Sequence, residues 1–464
     1  MRLASLVLLL ATVPGRAGDL RAGAAAVSIT PLLGTPMAGY YYARAAEGVH
    51  DDLYAKALVL EKDGAKAALV ALDLISTTRS LVTEARREIE RTTGLAGAQV
   101  MISATHAHTG PLLSSRGLRD DYLGGKADLV QRYTAELPAK IARAVRLAEE
   151  ALTPARLSVG HGREETLAFN RRYHLVDGTV GWNPGLLNPK ILKPAGPIDP
   201  DVPVVSFTSL ANKPLALYVN YAVHLDTIGG LQISADMPAT VAKLLAEVKG
   251  PEMLTFYTTG TCGDVNHINV NWGVKQGGFD TAARMGIILA AEVLRTLPRM
   301  KTVAPGALRC RSEIVQLPLP KIEPDDLKKA RDTLRRRDDT KGRQPTFLET
   351  VQAFKVLDVE ARHGKPNDVE VQVIALGDAI AWVSLPGEIF VELGLEIKQD
   401  SPFKHTILAE LANGSVGYVP ARRAYPQGNY EVVSARCAEG SGEMLVAAAL
   451  RLLRELYLAN SAAK

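Results

Sequence analysis

Cysteine is scarce in this sequence: Cys262, Cys310 and Cys437 are the only three in 464 residues. An odd number leaves at least one thiol unpaired in a monomer, and no Cys-x-x-Cys occurs, which excludes a disulfide scaffold and argues against a thiolate zinc site. One cysteine pair stays open, with nothing in the spacing to choose it. Aromatic residues make up 5% of the chain, which speaks against a large aromatic lipid-binding face, although aliphatic side chains line acyl pockets equally well. Charge of one sign is missing too. A net charge of +4 over the whole chain is too weak a field to gather nucleic acid or an anionic membrane. Residues 3–13 form an apolar run too short to span a bilayer, and no later stretch qualifies. With Arg2 before it and Ala17 and Gly18 after it, that run reads as a signal peptide over residues 1–18. The expectation is an exported protein, secreted or periplasmic, with no transmembrane segment in its mature part.

What is present is an ordinary globular composition, 47% hydrophobic and 22% charged, in a chain long enough for one large or two intimate domains. There is no internal repeat or low-complexity linker. Apolar runs predict strands at 24–29, 53–61, 67–72, 99–102, 156–160, 204–207, 215–222, 253–257, 308–319, 369–376, 380–385 and 406–411. Helical periodicity predicts helices at 79–91, 128–151, 239–248, 281–297, 389–398 and 442–457. The alternation of strand and helix gives an α/β class with mixed sheets and flanking helices. Residues 178–203 are rich in Pro, Gly and Asn and read as a long surface loop, and the charged run 323–343 reads as a solvated helix face.

Chemistry gathers where strands end. The strand at 99–102 runs into Ser103-Ala104-Thr105-His106-Ala107-His108-Thr109-Gly110-Pro111, and two histidines one residue apart project the same way from an extended chain. Neutral imidazole is the commonest metal ligand. His224, Asp264, Glu388 and Tyr418 also follow apolar strands shortly. In a sheet whose strands point one way, these loops share one edge, and two histidines with a carboxylate are a standard first shell for a hydrolytic zinc. Taken singly, each has a plainer explanation: Glu388 as a helix N-terminal carboxylate, Tyr418 and Tyr430 as packed aromatics, Arg171 as a surface cation beside Arg172.

Taken together, these blocks resemble the catalytic domain of the neutral (non-lysosomal) ceramidases, zinc amidases that cleave the N-acyl bond of ceramide. The block around His106 is similar to the family's Thr-His-Thr-His-Ser-Gly-Pro; Phe169-Asn170-Arg171-Arg172 to its Asn-Arg-Ser turn; Val223-His224 to its Thr-His-Pro; Gly263-Asp264-Val265 to Gly-Asp-Val-Ser; Pro386-Gly387-Glu388 to Pro-Gly-Glu. Gly417-Tyr418-Val419 and Asn429-Tyr430-Glu431 match its final tyrosine pair. The blocks keep the family's order from about Gly23 to Glu439, nearly the whole of 19–464, which is thus read as one zinc hydrolase domain without the immunoglobulin-like domain that follows in full-length members.

The resemblance implies zinc on His106, His224, Glu388 and Tyr418, with His108 as general acid/base. It implies Tyr430 beside the developing oxyanion and Arg171 near the scissile group. Asp264 and His267 are carried as substrate contacts, His267 also as a support behind the site and weighed evenly against a structural loop histidine. One departure stands out: Asn266 occupies the place of a serine that the family credits with a catalytic role. Asparagine is no nucleophile, but its amide can donate to an oxyanion. The reading is thus a zinc amidohydrolase on a small-molecule or lipid amide, with no nucleic-acid partner. Two others share the residues: a zinc esterase, lactonase or amidase on a small polar or glycan-like molecule, and a non-catalytic, metal-stabilised binding protein.

Overall fold

The computed structural model describes residues 20–114, 116–339 and 343–461, so the leader read at 1–18 lies outside the described residues. Among them, no helix is long and apolar enough to cross a membrane. The principal strands are β1 (Arg21–Ser28), β2 (Tyr54–Lys62), β3 (Ala65–Leu72), β4 (Val100–Ala104), β5 (Thr153–Arg163), β6 (Asp201–Ser209), β7 (Pro214–Tyr221), β8 (Leu254–Thr259), β9 (Lys301–Val303), β10 (Leu308–Leu317), β11 (Asn367–Leu376), β12 (Ile380–Ser384) and β13 (His405–Ala409). The principal helices are α1 (Arg79–Thr93), α2 (Asp128–Glu150), α3 (Met237–Lys249), α4 (Phe279–Thr296), α5 (Pro324–Asp338), α6 (Phe347–Glu360), α7 (Val391–Asp400) and α8 (Ser441–Ser461).

A nine-stranded sheet runs β8-β7-β6-β5-β1-β2-β3-β4, with β9 also on β5, and a four-stranded sheet runs β10-β11-β12-β13. Their inner faces share one core: Leu58, Leu60, Leu69, Phe207, Tyr218 and Phe256 from the larger sheet meet Ile374, Leu376, Trp382 and Ile407 from the smaller. The alternate residues of the same strands face helices. Ala57, Val59 and Val70 pack on α1 and α2, Val204 and Val219 on α3 and α4, and Val371, Val373 and Val383 on α7 and α8. Strands buried on both sides must be apolar at every position, which is why they read as runs rather than as alternations. The result is a helix-sheet-sheet-helix stack.

The strands do not all point one way. The outer pairs β3–β4, β7–β8 and β12–β13 are each parallel, and the other pairings within these two sheets are antiparallel. In sheet order β4 and β7 run in opposite senses, yet the loops leaving them meet. A twist of roughly 20–25° per strand accumulates across the sheet and turns its two ends toward each other. The chain after β13 then stitches the sheets together. The Ala104 and Asn413 amides donate to Leu411 and Ile102 carbonyls at 3.2 and 2.8 Å. The Asn413 side chain accepts from the Ile102 amide at 3.0 Å and donates to Gln372 at 2.8 Å.

Two expectations change. Residues 178–203 hold Val180–Trp182 and Ile191–Pro194, which pair on either side of Arg172–Leu175. The helix within the charged run 323–343 ends at Asp338, and a second helix, α6, follows it, closed at its start by a capping box between Thr346 and Glu349. The three cysteines are unpaired.

Trp382 is fully buried between the two sheets. Replacing it with alanine removes the largest side chain there and should cost about 3–5 kcal/mol of unfolding free energy in urea titration. A loss under about 1 kcal/mol would mean that the two sheets do not share this core.

Candidate metal centre

His106 and His224 leave the ends of β4 and β7, and the backbone fixes both rings. His106 sits at φ 75°, a strained conformation for a residue with a side chain. Its Nδ1 faces the Ile75 carbonyl at 2.7 Å, and His224 Nδ1 faces the Cys262 carbonyl at 3.1 Å. A carbonyl only accepts, so each Nδ1 carries the proton and each Nε2 presents a lone pair. The two Nε2 atoms lie 2.9 Å apart. Glu388 Oε2 is 3.5 Å from one and 3.4 Å from the other, and the Tyr418 hydroxyl is 3.5 Å from His224 Nε2. Four electron-rich atoms thus converge from four separate loops. Burial pushes the Tyr418 hydroxyl well up.

Glu388 does not open a helix. It pairs in a two-residue strand, Glu388–Ile389, with Tyr418–Val419, in parallel register Glu388↔Tyr418, and α7 begins only at Val391. That places the carboxylate and the phenol side by side. Glycines allow the close approach: a Cβ on Gly263 would lie 2.5 Å from the Glu388 carbonyl oxygen, and one on Gly387 2.7 Å from that of Gly417.

His108 differs from its neighbours. Its Nε2 is 3.4 Å from His106 Nε2, so the three histidines form one cluster able to hold a metal. Its buried Nδ1, however, has no partner, so nothing fixes its tautomer as the carbonyls fix those of His106 and His224. Burial and the nearby His106 hold its pKa well below the ordinary histidine value. Arg44 anchors the His108 carbonyl, and the Tyr40 ring meets the His108 ring in a T-shaped contact, centroids 5.9 Å apart.

Behind Tyr418, Arg171 donates to its hydroxyl at 3.0 Å and to the Gly263 carbonyl at 2.7 Å. Arg171 and Arg172 each bond one oxygen of the fully buried Glu431 at 2.8 Å. Tyr430 packs 5.3 Å from Tyr418 and 4.5 Å from Trp182, centroid to centroid.

Three further residues are engaged within the protein. Asp264 accepts from the Val391 amide at 2.9 Å and from Asn170 at 2.8 Å. Asn266 accepts from the Ile268 amide at 3.1 Å and donates to Asn183 at 3.3 Å. His267 lies between the Gln276 carbonyl at 2.6 Å and Asp226 Oδ1 at 3.1 Å.

Sequence reading missed Glu431, Trp182 and Asp226. Glu431 stands in the same block as Tyr430, and an adjacent pair of buried arginines was the signal that a carboxylate had to be found for them.

No model of a known protein family matches the chain, and no curated protein matches it. Among solved structures, neutral ceramidase from Pseudomonas aeruginosa superposes with a TM-score of 0.73 at 20% identity, over 94% of this chain and 75% of that one. A structure described as ceramidase complexed with C2 gives 0.73 and 20%, over 95% and 76%. The chain has the neutral ceramidase fold, as its motifs implied.

With its Nε2–H on a carbonyl and its Nδ1 on a carboxylate, His267 is cationic. Burial would lower its pKa, but Asp226 outweighs this and raises it; His267 in turn holds Asp226 far below the carboxylate range despite burial. The pair's contribution is therefore present below the unfolded histidine value of about 6.5 and is lost as pH rises through the raised value. On the acid side it is lost only as pH falls through the depressed Asp226 value. The gap between the urea midpoints of wild type and H267Q should be widest below about pH 6, where the unfolded histidine is also charged, and should shrink as pH rises above that value. A gap that does not change with rising pH would refute the ion pair.

Proposed function

We propose that this protein is an exported, zinc-dependent amidohydrolase that cleaves a linear N-acyl amide in the manner of a ceramidase. The observation that carries the reading is the meeting of the His106 and His224 Nε2 lone pairs at 2.9 Å beside Glu388 and Tyr418. Such a donor set repels itself unless a cation sits among it, and two imidazoles with oxygen donors suit zinc. Bound there, zinc supplies a Lewis acid for the acyl carbonyl and lowers the pKa of water.

The chain's own residues do the rest. His108 stays out of the ligand set, because the carbonyl that orients a ligating histidine is missing from its Nδ1. Its depressed pKa keeps it neutral and able to accept a proton at Nε2 from the attacking water. It returns that proton to the nitrogen as the C–N bond breaks, giving a carboxylic acid and an amine, which leave as carboxylate and ammonium after the acid's proton passes to the amine. Tyr430, with Asn266, donates toward the oxyanion that develops on the acyl oxygen. Arg171 holds the Tyr418 hydroxyl and keeps positive charge behind it. Asp264 and His267 brace the loops that wall the substrate.

The fold likeness to neutral ceramidase supports an N-acyl lipid as substrate. The departure at Asn266 motivates the alternative, an ester, lactone or amide of a small polar molecule. Turnover of ceramide, short N-acyl amides and esters, measured side by side, separates them; ceramide turnover matching the best amide would defeat the alternative, and ester turnover well above both would defeat the amidase. H106A should lose bound zinc, measured by elemental analysis. H108A should keep it and lose about 10²–10⁴ in kcat. Full zinc in H106A, or zinc lost from H108A, would overturn the division of roles.

A further inference from the structure

We infer that Glu410 is a positioning residue that holds three of the four proposed ligands in place through two peptide N–H groups. The inference rests on the metal-centre reading above and assigns a role to a residue that the reaction itself does not use.

Glu410 follows β13 and is completely buried. A buried carboxyl group is costly unless its oxygens are satisfied. Here one oxygen accepts from the Cys262 amide at 3.2 Å and from the Ile389 amide at 2.9 Å. The other faces the Cys262 thiol at 3.0 Å. Both backbone partners border the metal centre. Cys262 supplies the carbonyl that fixes the His224 tautomer. Ile389 follows Glu388 directly and belongs to the two-residue strand that sets Glu388 beside Tyr418. The Gly263 amide closes the bracket by donating to the Ile389 carbonyl at 2.8 Å. One carboxylate therefore clamps the His224 loop to the Glu388 loop, and the strand pairing carries the restraint to Tyr418.

The backbone points to the same role. Immediately after Glu410, Leu411 adopts φ 53°, rare for a bulky residue, and Asn413 adopts φ 58°. The Leu411 amide donates to the Gly387 carbonyl at 3.2 Å, and the Glu410 amide to the Thr259 carbonyl at 3.1 Å. The strained turn is thus held between the two loops that the carboxylate joins.

The test is a series at this position, read by metal affinity and by the visible spectrum of the cobalt-substituted protein, with the thermal midpoint of the metal-free protein as control. E410Q keeps the reach and an oxygen for both amides, so its affinity for zinc should stay within about 3-fold of wild type. E410D keeps the carboxyl group but falls one methylene short. Its affinity should drop about 10–100-fold, the usual effect of losing a group that orients a ligand, with altered cobalt bands. A merely structural role would lower the metal-free midpoint and leave affinity and spectrum alone. Wild-type affinity and spectrum in E410D would overturn the inference, as would an E410Q as weak as E410D. Wild-type protein that binds no zinc would bring down the metal reading itself, an outcome distinct from a zinc-binding wild type with an unaffected E410D.

Discussion

Everything at the centre of this protein depends on two protons held away from it. His106 and His224 each give an Nδ1 proton to a backbone carbonyl, which turns both Nε2 lone pairs toward the same point. Two lone pairs 2.9 Å apart, with a carboxylate oxygen within 3.5 Å of both, form an arrangement that repels itself in the absence of positive charge. It persists because the carbonyls belong to a rigid backbone. Arg171 adds fixed positive charge on the far side of Tyr418. Pre-organisation of this kind is what a catalytic site needs, since no reorganisation is then left for the moment of reaction.

The scaffold has to deliver these groups from distant parts of the chain to one place. No single strand edge does so, because β4 and β7 lie far apart in a sheet of mixed direction. Twist brings the sheet ends together, and the four-stranded sheet closes the gap between them. Its own parallel pair sends Glu388 and Tyr418 in from the opposite side. The stitch around Asn413 locks that meeting, since its side chain bonds both the β4 backbone and Gln372 of the smaller sheet. Sheet packing and site geometry are therefore one problem: a shift of one sheet on the other would pull His106 away from Glu388.

Much of this was legible in the sequence, for physical reasons. Strands buried on both faces leave unbroken apolar runs, so the strand positions could be read, and polar residues just past those runs marked the loops of the site. The sequence pointed to mixed sheets, but it could not show the twist that brings loops from strands of opposite sense to one place. Nor could it show that Glu388 lies in a two-residue strand: a Pro-Gly-Glu before an apolar helix reads as a helix start, and only the pairing with Tyr418, thirty residues on, displaces it. Residues 178–203 were hidden for a related reason. Proline and glycine mark turns, but short strands between turns are stabilised by partners that local sequence does not reveal.

A chain-wide average also hides one local feature of the site. At 5%, aromatic residues are few, yet Tyr41, Trp182, Phe347, Tyr418 and Tyr430 pack into one cluster at the site. Trp182 stacks on Phe347 at 5.6 Å, and Tyr41 meets the same ring edge-on at 5.3 Å. Rigid rings lose little entropy on ordering and bury much surface, so a few suffice to shape a wall beside a polar centre. An average over 464 residues dilutes such a cluster to nothing. The same holds for charge. A net +4 conceals Arg171, Arg172 and Glu431 locked together without solvent. The character of a site is local, and it is read from which loops the fold brings together rather than from how much of each residue the chain contains.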